Sequence, residues 1–393
     1  MNRIVVISFL YLAIIVGLFF YSFTQIDLSL TISRVPFLRD IITNFQHVGY
    51  FQRPLSTVLD LTFLILLHGF YLYFLWCAFK GKIKKHLVWK LILATTVILA
   101  FSYNAFSYDL FNYIFDAKIL THYQQNPYIH KALDYPGDPM LSFMRWTHRE
   151  YPYGPIWLGL TVPLSYIGLN VFIPTFFLFK TLMAASFLGC VYFIGKIFQK
   201  VAPEREVFGL VFFGLSPLVL IESLVSAHMD IVMMFFALGA FYFLIHRKYI
   251  RAFVLLFLSI GIKFATVFLV PVFILLLFWQ VSQRKIHWER LFFLAILLMS
   301  GAVIAASVRT TFQAWYLVEV LAFAVFLSYR YYILIPTIII SLFALGTYVP
   351  YLYTGNWDPP IPYYLLLLYI ASYLISGISV GLLFVKGKLN GRA

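Results

Sequence analysis

The sequence predicts an all-α protein that crosses a membrane many times, and three observations lead to this fold class. Of the 393 residues, 62% are hydrophobic and only 11% are charged, whereas soluble domains carry about 25% charged residues. Apolar runs near the membrane-spanning length of about 20 residues recur along the whole chain. The runs are continuous rather than alternating, which excludes an outer-membrane β-barrel.

The formal net charge of +14 comes from lysines and arginines that cluster in short loops. The clusters are Lys80, Lys82, Lys84, Lys85 and Lys90; Lys196, Lys200 and Arg205; Arg247, Lys248 and Arg251; Arg284, Lys285 and Arg290; Arg330; and Lys386, Lys388 and Arg392. Such clusters follow the positive-inside rule, which assigns these loops to the cytoplasm. The net positive charge is therefore explained by cytoplasmic loops next to membrane lipids, and we expect no nucleic-acid partner.

Two features could indicate a secreted domain, and we interpret both otherwise. The first apolar run, up to Phe23, resembles a signal peptide but lacks a small-residue cleavage site, so we expect a retained helix. Cys77 and Cys190 both lie inside apolar runs. They are typical of small hydrophobic residues and do not indicate a disulfide or a metal pair.

With the basic loops inside, the first helices place a long polar loop on the outer face. The helices are predicted at about residues 4–24, 56–79 and 90–107. Loop 109–154 follows, and its first part is predicted to form a helix on the membrane surface. Asp109, Asn112 and Asp116 share one face of that helix, at spacings i, i+3 and i+7.

The apolar segment 155–168 is short, and Pro163 interrupts it. If it crossed the membrane fully, Lys196 and Lys200 would lie outside, against the positive-inside rule. We therefore predict a half-helix that enters from the outer face, followed by a full crossing over 172–198. Because non-helical backbone at membrane depth must lie against protein or a wet cavity, we expect a cavity beside residues 151–155.

The remaining runs bring the predicted total to about twelve helices, with both termini in the cytoplasm. They cover about 207–225, 231–246, two halves within 251–280, 291–309, 314–329, 331–348 and 363–385. The run 251–280 begins and ends at basic loops, so it must go out and return, with Gly261-Ile262-Lys263 near its turn. We expect one membrane domain over 1–393, with two additional helices in 1–89, a core in 90–330 and C-terminal helices in 331–393.

This topology gathers the candidate functional charges on the outer face. They are Asp109, Asp116, Glu150, Glu222, Asp230, Lys263 and Arg309. Glycosyl transfer to a hydroxyl needs such a set, because one carboxylate removes the acceptor proton and a cation neutralises the departing phosphate. Asp109, at the end of the third helix, is the candidate base. A carboxylate that merely ends a helix at the interface would give the same pattern.

Lys263 lies among apolar residues at the predicted turn. It fits a phosphate ligand, and the alternative is a lysine that snorkels to the headgroups. His228-Met229-Asp230 is weaker evidence, since both side chains could solvate a loop. The spacing brings too few ligands together for a metal, so we expect none.

Three aromatic motifs accompany these charges. Trp315-Tyr316 indicates first an interfacial anchor and second a platform on which a sugar stacks. Asn126-Pro127-Tyr128 and Tyr151-Pro152-Tyr153-Gly154-Pro155 have ordinary turn composition. In this chain they bracket the loop that we expect to be pinned over a cavity.

In this order, the motifs resemble the GT-C class of membrane glycosyltransferases. They look most like the mannosyltransferases that take sugar from a polyprenyl phosphate, including the glycosylphosphatidylinositol mannosyltransferase family and its bacterial relatives. The matching elements, spread over about residues 90–330, are Ser107-Tyr108-Asp109, Asn126-Pro127-Tyr128, Tyr151–Pro155, His228-Met229-Asp230, Ile262-Lys263-Phe264 and Trp315-Tyr316.

The resemblance implies that Asp109 is the catalytic base, that substrate contacts lie near Asp230 and that the lipid phosphate contacts Lys263. It also implies direct displacement with inversion, a lipid or glycan acceptor and no cofactor, the polyprenyl-phosphate sugar being a substrate; mannose is the favoured sugar. The residues expected to bind substrate are Asp116, Asn126, Tyr128, Glu150, Tyr151, Tyr153, Glu222, His228, Asp230, Lys263, Arg309, Trp315 and Tyr316.

Two other classes of function stay open at this point. A lipid-linked-sugar flippase or secondary transporter should place its charges near the bilayer midplane between broken helices, whereas here they gather at one face. A non-catalytic assembly partner would make Asp109 and Lys263 dispensable. Compact loops favour a bacterial plasma (inner) membrane, with the site facing away from the cytoplasm.

Overall fold

The computed structural model describes the backbone of residues 3–389 and the side chains of residues 3–386. Within this part of the chain every regular element is a helix, and none is a strand. Seven helices are long and apolar enough to cross a membrane, or eight if the bent pair Pro203–Gly214 and Pro217–Val225 forms one span. The prediction of an all-α, multi-pass membrane protein is confirmed. The total of twelve helices stays a prediction, and Arg392 and both chain termini lie outside the described residues.

The α-helices of the described chain have the following bounds: α1 Arg3–Ser22, α2 Pro36–Gln46, α3 Arg53–Phe79, α4 Lys85–Ala100, α5 Asp109–Thr121, α6 Pro155–Ile167, α7 Phe172–Val201, α8 Glu206–Gly214, α9 Pro217–Leu220, α10 Asp230–Ile245, α11 Tyr249–Ile262, α12 Val270–Val281, α13 Trp288–Arg309, α14 Tyr316–Ala324, α15 Tyr331–Gly346, α16 Tyr348–Thr354 and α17 Ile361–Leu389. Short 3₁₀ and π turns extend or join several of them.

The helix predicted to lie on the membrane surface is not α5 but α2. Most of α5 is buried, including Phe111, Ile114 and Phe115, because α6 and α7 pack against it. In α2, which the sequence did not reveal, no residue is buried, and Phe37 and Leu38 are exposed. An exposed helix with apolar side chains is typical of a helix in the membrane interface.

α10 lies at the centre of the helix bundle. It packs against α7, α11, α12 and α14. It is apolar all around its circumference, apart from Asp230 at its first position, and a helix of that kind is stable only when other helices surround it. Asp230 is therefore held at the end of a helix that the core surrounds.

The predicted boundary between a short and a long helix at Ile167–Phe172 is confirmed. α6 has 13 residues and contains Pro163, whose ring cannot continue the backbone hydrogen-bond ladder. α7 has 30 residues and is long enough to cross a membrane. The break at Lys263 is also as predicted, because α11 ends at Ile262 and Lys263 has an extended backbone.

The basic loops meet at one end of the bundle. Lys85 Nζ lies 2.6 Å from Glu206 Oε1, and the guanidinium of Arg205 lies 3.5 Å from the centre of the Tyr329 ring. Arg330 then pairs with Glu289 at 2.7 Å. The candidate charges lie at the other ends of the helices that begin or finish in these loops. The fold thus separates a basic end from an end that carries the candidate site.

Candidate active site

Asp109 begins α5, so the prediction that it ends the preceding helix is wrong. α4 already ends at Ala100, and turns carry the chain onward. Asn104 Nδ2 donates to the Ser107 carbonyl at 2.8 Å, and Ser107 Oγ accepts the Asp109 N–H at 3.1 Å. Such side-chain bonds hold the segment between α4 and α5 in turns instead of a helix. Asp109 thereby gains a place in the first turn of a helix, where the dipole favours a carboxylate.

A bent segment brings His228 to Asp109. The chain turns by 53° between Gly214 and Pro217 and then forms the π-helical turn Ile221–Val225, a geometry frequent at functional sites. His228 Nε2 lies 3.0 Å from Ser107 Oγ and 3.7 Å from Asp109 Oδ2. His228 is 1% exposed and therefore does not solvate a loop, and the site begins as a His–Asp pair.

The sequence analysis overlooked Lys180, which fixes both sides of this pair. Lys180 lies inside α7 and is only 1% exposed. Its ammonium donates to Ser102 Oγ at 3.1 Å, to the Val225 carbonyl at 3.2 Å and to the Leu224 carbonyl. A lysine within an apolar run of spanning length was the available signal. One buried cation joins the turn before Asp109 to the turn before His228.

Glu222 and Trp315 enclose the other sides of His228. Glu222 Oε2 lies 3.0 Å from His228 Nδ1, and Glu222 is completely buried. The Trp315 ring stacks on the imidazole, with centroids 3.9 Å apart and an interplanar angle of 17°. One face of Trp315 is therefore occupied by the protein itself.

Lys263 is paired twice, although the sequence showed it among apolar residues only. Its Nζ lies 2.5 Å from Asp230 Oδ1 and 3.0 Å from Glu319 Oε1, and 4.4 Å from the centre of the Tyr316 ring. Glu319 was missed, yet a carboxylate three residues after Tyr316 in an otherwise apolar helix was a usable signal. Snorkelling of a lone lysine does not describe this residue.

The two aromatic turns of the outer loop are bonded to each other and to the break at Lys263. The Tyr151 N–H donates to the Pro127 carbonyl at 3.1 Å, and the Gly154 N–H donates to the Ile262 carbonyl at 3.0 Å. A Cβ on Gly154 would lie 2.1 Å from the Gly261 carbonyl oxygen, so only glycine permits this approach. These bonds hold the outer loop against the break at Lys263, while the cavity expected beside residues 151–155 stays a prediction.

The other candidates divide into near and peripheral residues. Asp116 is partly buried two turns after Asp109 on α5, and burial raises the pKa of Asp116 to about 8. Burial, and then the charges of Asp109 and Asp116, raise the pKa of the Tyr153 hydroxyl. Tyr128 donates to the Tyr153 carbonyl at 3.3 Å. Asn126, Glu150 and Arg309 are exposed, and the structure brings none of these three into the paired charges around Asp109 and Lys263.

The site holds Asp109 in a balance of opposing influences. Burial raises the pKa of its carboxyl group most strongly; His228 lowers it, Asp230 raises it, and Lys263 and Arg149 lower it. Arg149, in the outer loop, is a cation that the sequence analysis did not single out. A carboxylate that is poorly solvated yet faces cations is suited to accept a proton.

The sequence matches the model of a known protein family. Residues 15–279 match the MptA_B family model, described as the N-terminal domain of alpha-(1->6)-mannopyranosyltransferases. No curated protein and no solved structure matches the chain. The family match covers Asp109, Glu222, His228, Asp230 and Lys263, and it ends before Trp315 and Glu319. Because it spans well over half of the sequence, the chain belongs to the MptA_B family and is a membrane mannosyltransferase of the GT-C type.

Proposed function

We propose that the protein transfers mannose from a polyprenyl-phosphate donor to a hydroxyl of a lipid or glycan acceptor, with Asp109 as the general base and inversion at the anomeric carbon. The reaction takes place at the membrane face away from the cytoplasm, in a plasma (inner) membrane. It uses no cofactor and no metal, since the charges come from the protein.

The observation that carries this proposal is a pair of partly open charges of opposite sign. The Asp109 side chain is 15% exposed and Lys263 is 21% exposed, while their partners Glu222, His228, Asp230 and Glu319 are almost fully buried. Glycosyl transfer from a phosphate requires an anion to take the acceptor proton and a cation to receive the phosphate. The site offers one of each to a substrate.

The chemical step is a single displacement. The acceptor oxygen attacks the anomeric carbon as its proton passes to the Asp109 carboxylate. The bond from that carbon to the phosphate oxygen breaks, and its electron pair leaves with the polyprenyl phosphate, whose charge Lys263 neutralises. Inversion of a β-linked donor would give an α product, in agreement with the alpha-(1->6) linkage in the family's description.

The positive-inside rule supports the orientation. The basic loops meet at the end of the bundle opposite Asp109, as the pairs Lys85–Glu206 and Arg330–Glu289 show. Loops rich in lysine and arginine remain in the cytoplasm. On this basis we expect the site to face the other side, with about twelve helices in total and both termini in the cytoplasm.

The remaining residues surround the two reacting ends in this proposal. Asp230 affects the substrate by holding Lys263 in place. Asp116, Tyr153 and Tyr316 line the space between Asp109 and Lys263. The exposed outer group, Asn126, Tyr128, Glu150 and Arg309, contacts the acceptor or the donor head group. Tyr151 is buried and supports the loop that carries Tyr153. The core in 90–330 carries these groups, with 1–89 and 331–393 as flanking helices of one domain.

The test is transfer of labelled mannose from polyprenyl-phosphate mannose to membrane lipids or glycans by the purified protein. We expect Asp109→Asn to reduce transfer by about 100-fold to 10,000-fold, because it removes the base and keeps the shape. Asp134→Asn is the matched control, since Asp134 lies in the same outer loop and contacts His130 and the Lys131 N–H rather than the charges around Asp109. We expect the control to transfer normally.

Two results would contradict the proposal in different ways. Equal transfer by wild type and Asp109→Asn would show that the protein is the enzyme but that Asp109 is not its base. No transfer by the wild type from mannose, glucose or arabinose donors on a polyprenyl phosphate would reject the donor class and support a flippase or an assembly partner.

A further inference from the structure

Glu222 has no part in the displacement just described, yet it is the most deeply buried carboxylate of the site. It is 0% exposed, in the π-helical turn before His228. An ionisable group so far from water is costly unless a partner compensates it. Its partners show what it compensates.

Glu222 is held from two sides. Its Oε2 atom lies 3.0 Å from His228 Nδ1, and its Oε1 atom accepts a hydrogen bond of 2.9 Å from the Tyr348 hydroxyl. Tyr348 is in turn stacked on Phe106, with ring centroids 5.2 Å apart, next to the turn that carries Ser107. The carboxylate therefore cannot turn away from the imidazole.

Both ring nitrogens of His228 face oxygen atoms of the protein. Nδ1 faces Glu222, Nε2 faces Ser107 Oγ at 3.0 Å and Asp109 Oδ2 at 3.7 Å, and the ring face lies on Trp315. An imidazolium is stabilised at all four, because its charge lies close to two carboxylates, Nε2 donates to Ser107 Oγ, and a cation is attracted to an indole face. A neutral ring would lose the charge attraction to the carboxylates of Glu222 and Asp109.

We propose that Glu222 is a positioning residue that keeps His228 as an imidazolium beside Asp109, so that the Asp109 base stays ionised at the moment of transfer. This inference rests on the proposed function in one respect, namely that Asp109 is the base. The charge of Glu222 reaches the reaction only through His228.

Two of the residues that form and hold the imidazolium lie outside the family match. Glu222 and His228 lie within residues 15–279, whereas Trp315 and Tyr348 lie beyond it. The C-terminal helices α14 and α16 are therefore part of the catalytic unit in this proposal. A match that ends at residue 279 gives no indication of that role.

The charges facing His228 set the expected dependence on pH. They are Glu222, Asp109 and Asp230, with Lys263 beyond Asp230. Burial lowers the pKa of His228, but these carboxylates, with Glu222 first, raise it above its ordinary value. Transfer should fall at low pH as Asp109 is protonated and at high pH as His228 loses its proton.

The first test compares the pH profile of mannose transfer in wild type and Glu222→Gln. Without the carboxylate His228 loses its proton more readily, so we expect the alkaline limb to move to lower pH by about one pH unit or more. The acid limb should move to higher pH, because Asp109 then faces a weaker cation. Glu289→Gln, at the basic end, is the control and should keep the wild-type profile. Tyr348→Phe should narrow the pH range of transfer by less than Glu222→Gln does.

A uniform loss of activity at every pH in Glu222→Gln would assign Glu222 a structural role only and overturn the inference. An unchanged profile in both Glu222→Gln and Tyr348→Phe would overturn it as well. The Tyr348 variant keeps its ring and stack, so it provides the comparison if the Glu222 variant does not fold.

A second measurement does not depend on transfer. The protein is labelled with ¹⁵N-histidine, and the signal of His228 is assigned by its loss in His228→Gln. We expect His228 to hold its second proton to higher pH in wild type than in Glu222→Gln. Equal titration in both proteins would overturn the inference even in an active enzyme. If the wild type transfers no mannose but His228 still titrates at higher pH than in Glu222→Gln, the inference about Glu222 stands and the proposed donor is wrong.

Discussion

The two halves of the site have the same plan and opposite polarity. In one half, the His228 arm, a histidine lies between the carboxylates Glu222 and Asp109. In the other, the Lys263 arm, a lysine lies between Asp230 and Glu319. The group that reaches the surface is the anion Asp109 in the first arm and the cation Lys263 in the second.

This difference separates two chemical tasks. The ordinary pKa of a histidine is far below that of a lysine, so the cation of the His228 arm loses its proton at lower pH than a lysine between two carboxylates. The first arm can therefore respond to pH, and the second supplies a constant charge. Two adjacent aromatic residues, Trp315 and Tyr316, each support one arm, the first on His228 and the second under Lys263.

The largest effect should come from removing the cation of the Lys263 arm. Lys263→Met leaves Asp230 and Glu319 buried and unpaired, which is costly by about 3–5 kcal/mol in comparable pairs. We expect kcat/KM for the polyprenyl-phosphate donor to fall by about 1,000-fold, together with a lower melting temperature. Lys248→Met, at an exposed position of the basic end, is the matched control. An equal rise in KM for the donor and for the acceptor would contradict the proposal that the two arms have separate tasks.

A smaller loss should follow from Gly154→Ala. The new Cβ would meet the Gly261 carbonyl oxygen at 2.1 Å, so the outer loop or the backbone before Lys263 must move. A shift of about 1 Å can cost about 100-fold in rate, and we expect this loss to appear in donor kinetics. In Gly137→Ala the new Cβ would meet no atom within 4 Å, which makes it the control. Unchanged donor kinetics in Gly154→Ala would show that the outer loop does not position Lys263.

The two aromatic residues allow a direct comparison of the arms. Trp315→Leu removes the stack on His228 and should lower kcat by about tenfold, with little change in donor KM. Tyr316→Leu removes the ring beneath Lys263 and should raise donor KM by a similar factor. Steady-state kinetics with each substrate varied in turn measure both effects. Identical kinetic changes in the two variants would mean that the arms act as one unit.

The smallest effect should appear in stability near Asp116, behind the His228 arm. Burial raises the pKa of Asp116 to about 8 from an ordinary value near 3.8, so its stabilising contribution is complete below about pH 4 and is lost as pH rises through 8. Asp116→Asn should flatten the fall in melting temperature between pH 5 and 9. A pH dependence as steep as that of the wild type would contradict the burial of this carboxyl group.

Much of the helix order could be predicted because hydrophobicity and charge placement act over long stretches. The requirement that the basic loops lie in the cytoplasm located the α6–α7 boundary and the break at Lys263. The confirmed free state of Cys77 and Cys190 followed from their apolar neighbours. Local competition was harder to predict, and the bonds of Asn104 and Ser107 moved Asp109 from the end of one helix to the start of the next.

The pairing within the site could not be read from the sequence. Each arm joins segments far apart in the chain, such as Glu222 with Tyr348 and Lys263 with Glu319, and single-sequence patterns carry no information on such distances. The role of Lys180 was hidden for the same reason. Its partners at Ser102 and Val225 become adjacent only after α4 and α7 have packed together.

The late position of Trp315, Glu319 and Tyr348 has a consequence for biogenesis. A chain emerging from the ribosome places Asp109 and Lys263 in the membrane well before these three residues are made, because domains are built from the N-terminus onward. Until then Lys263 lacks one carboxylate and His228 lacks its stack. A nascent or prematurely terminated chain would thus remain inactive, and mannose transfer would begin only once the C-terminal helices had been inserted.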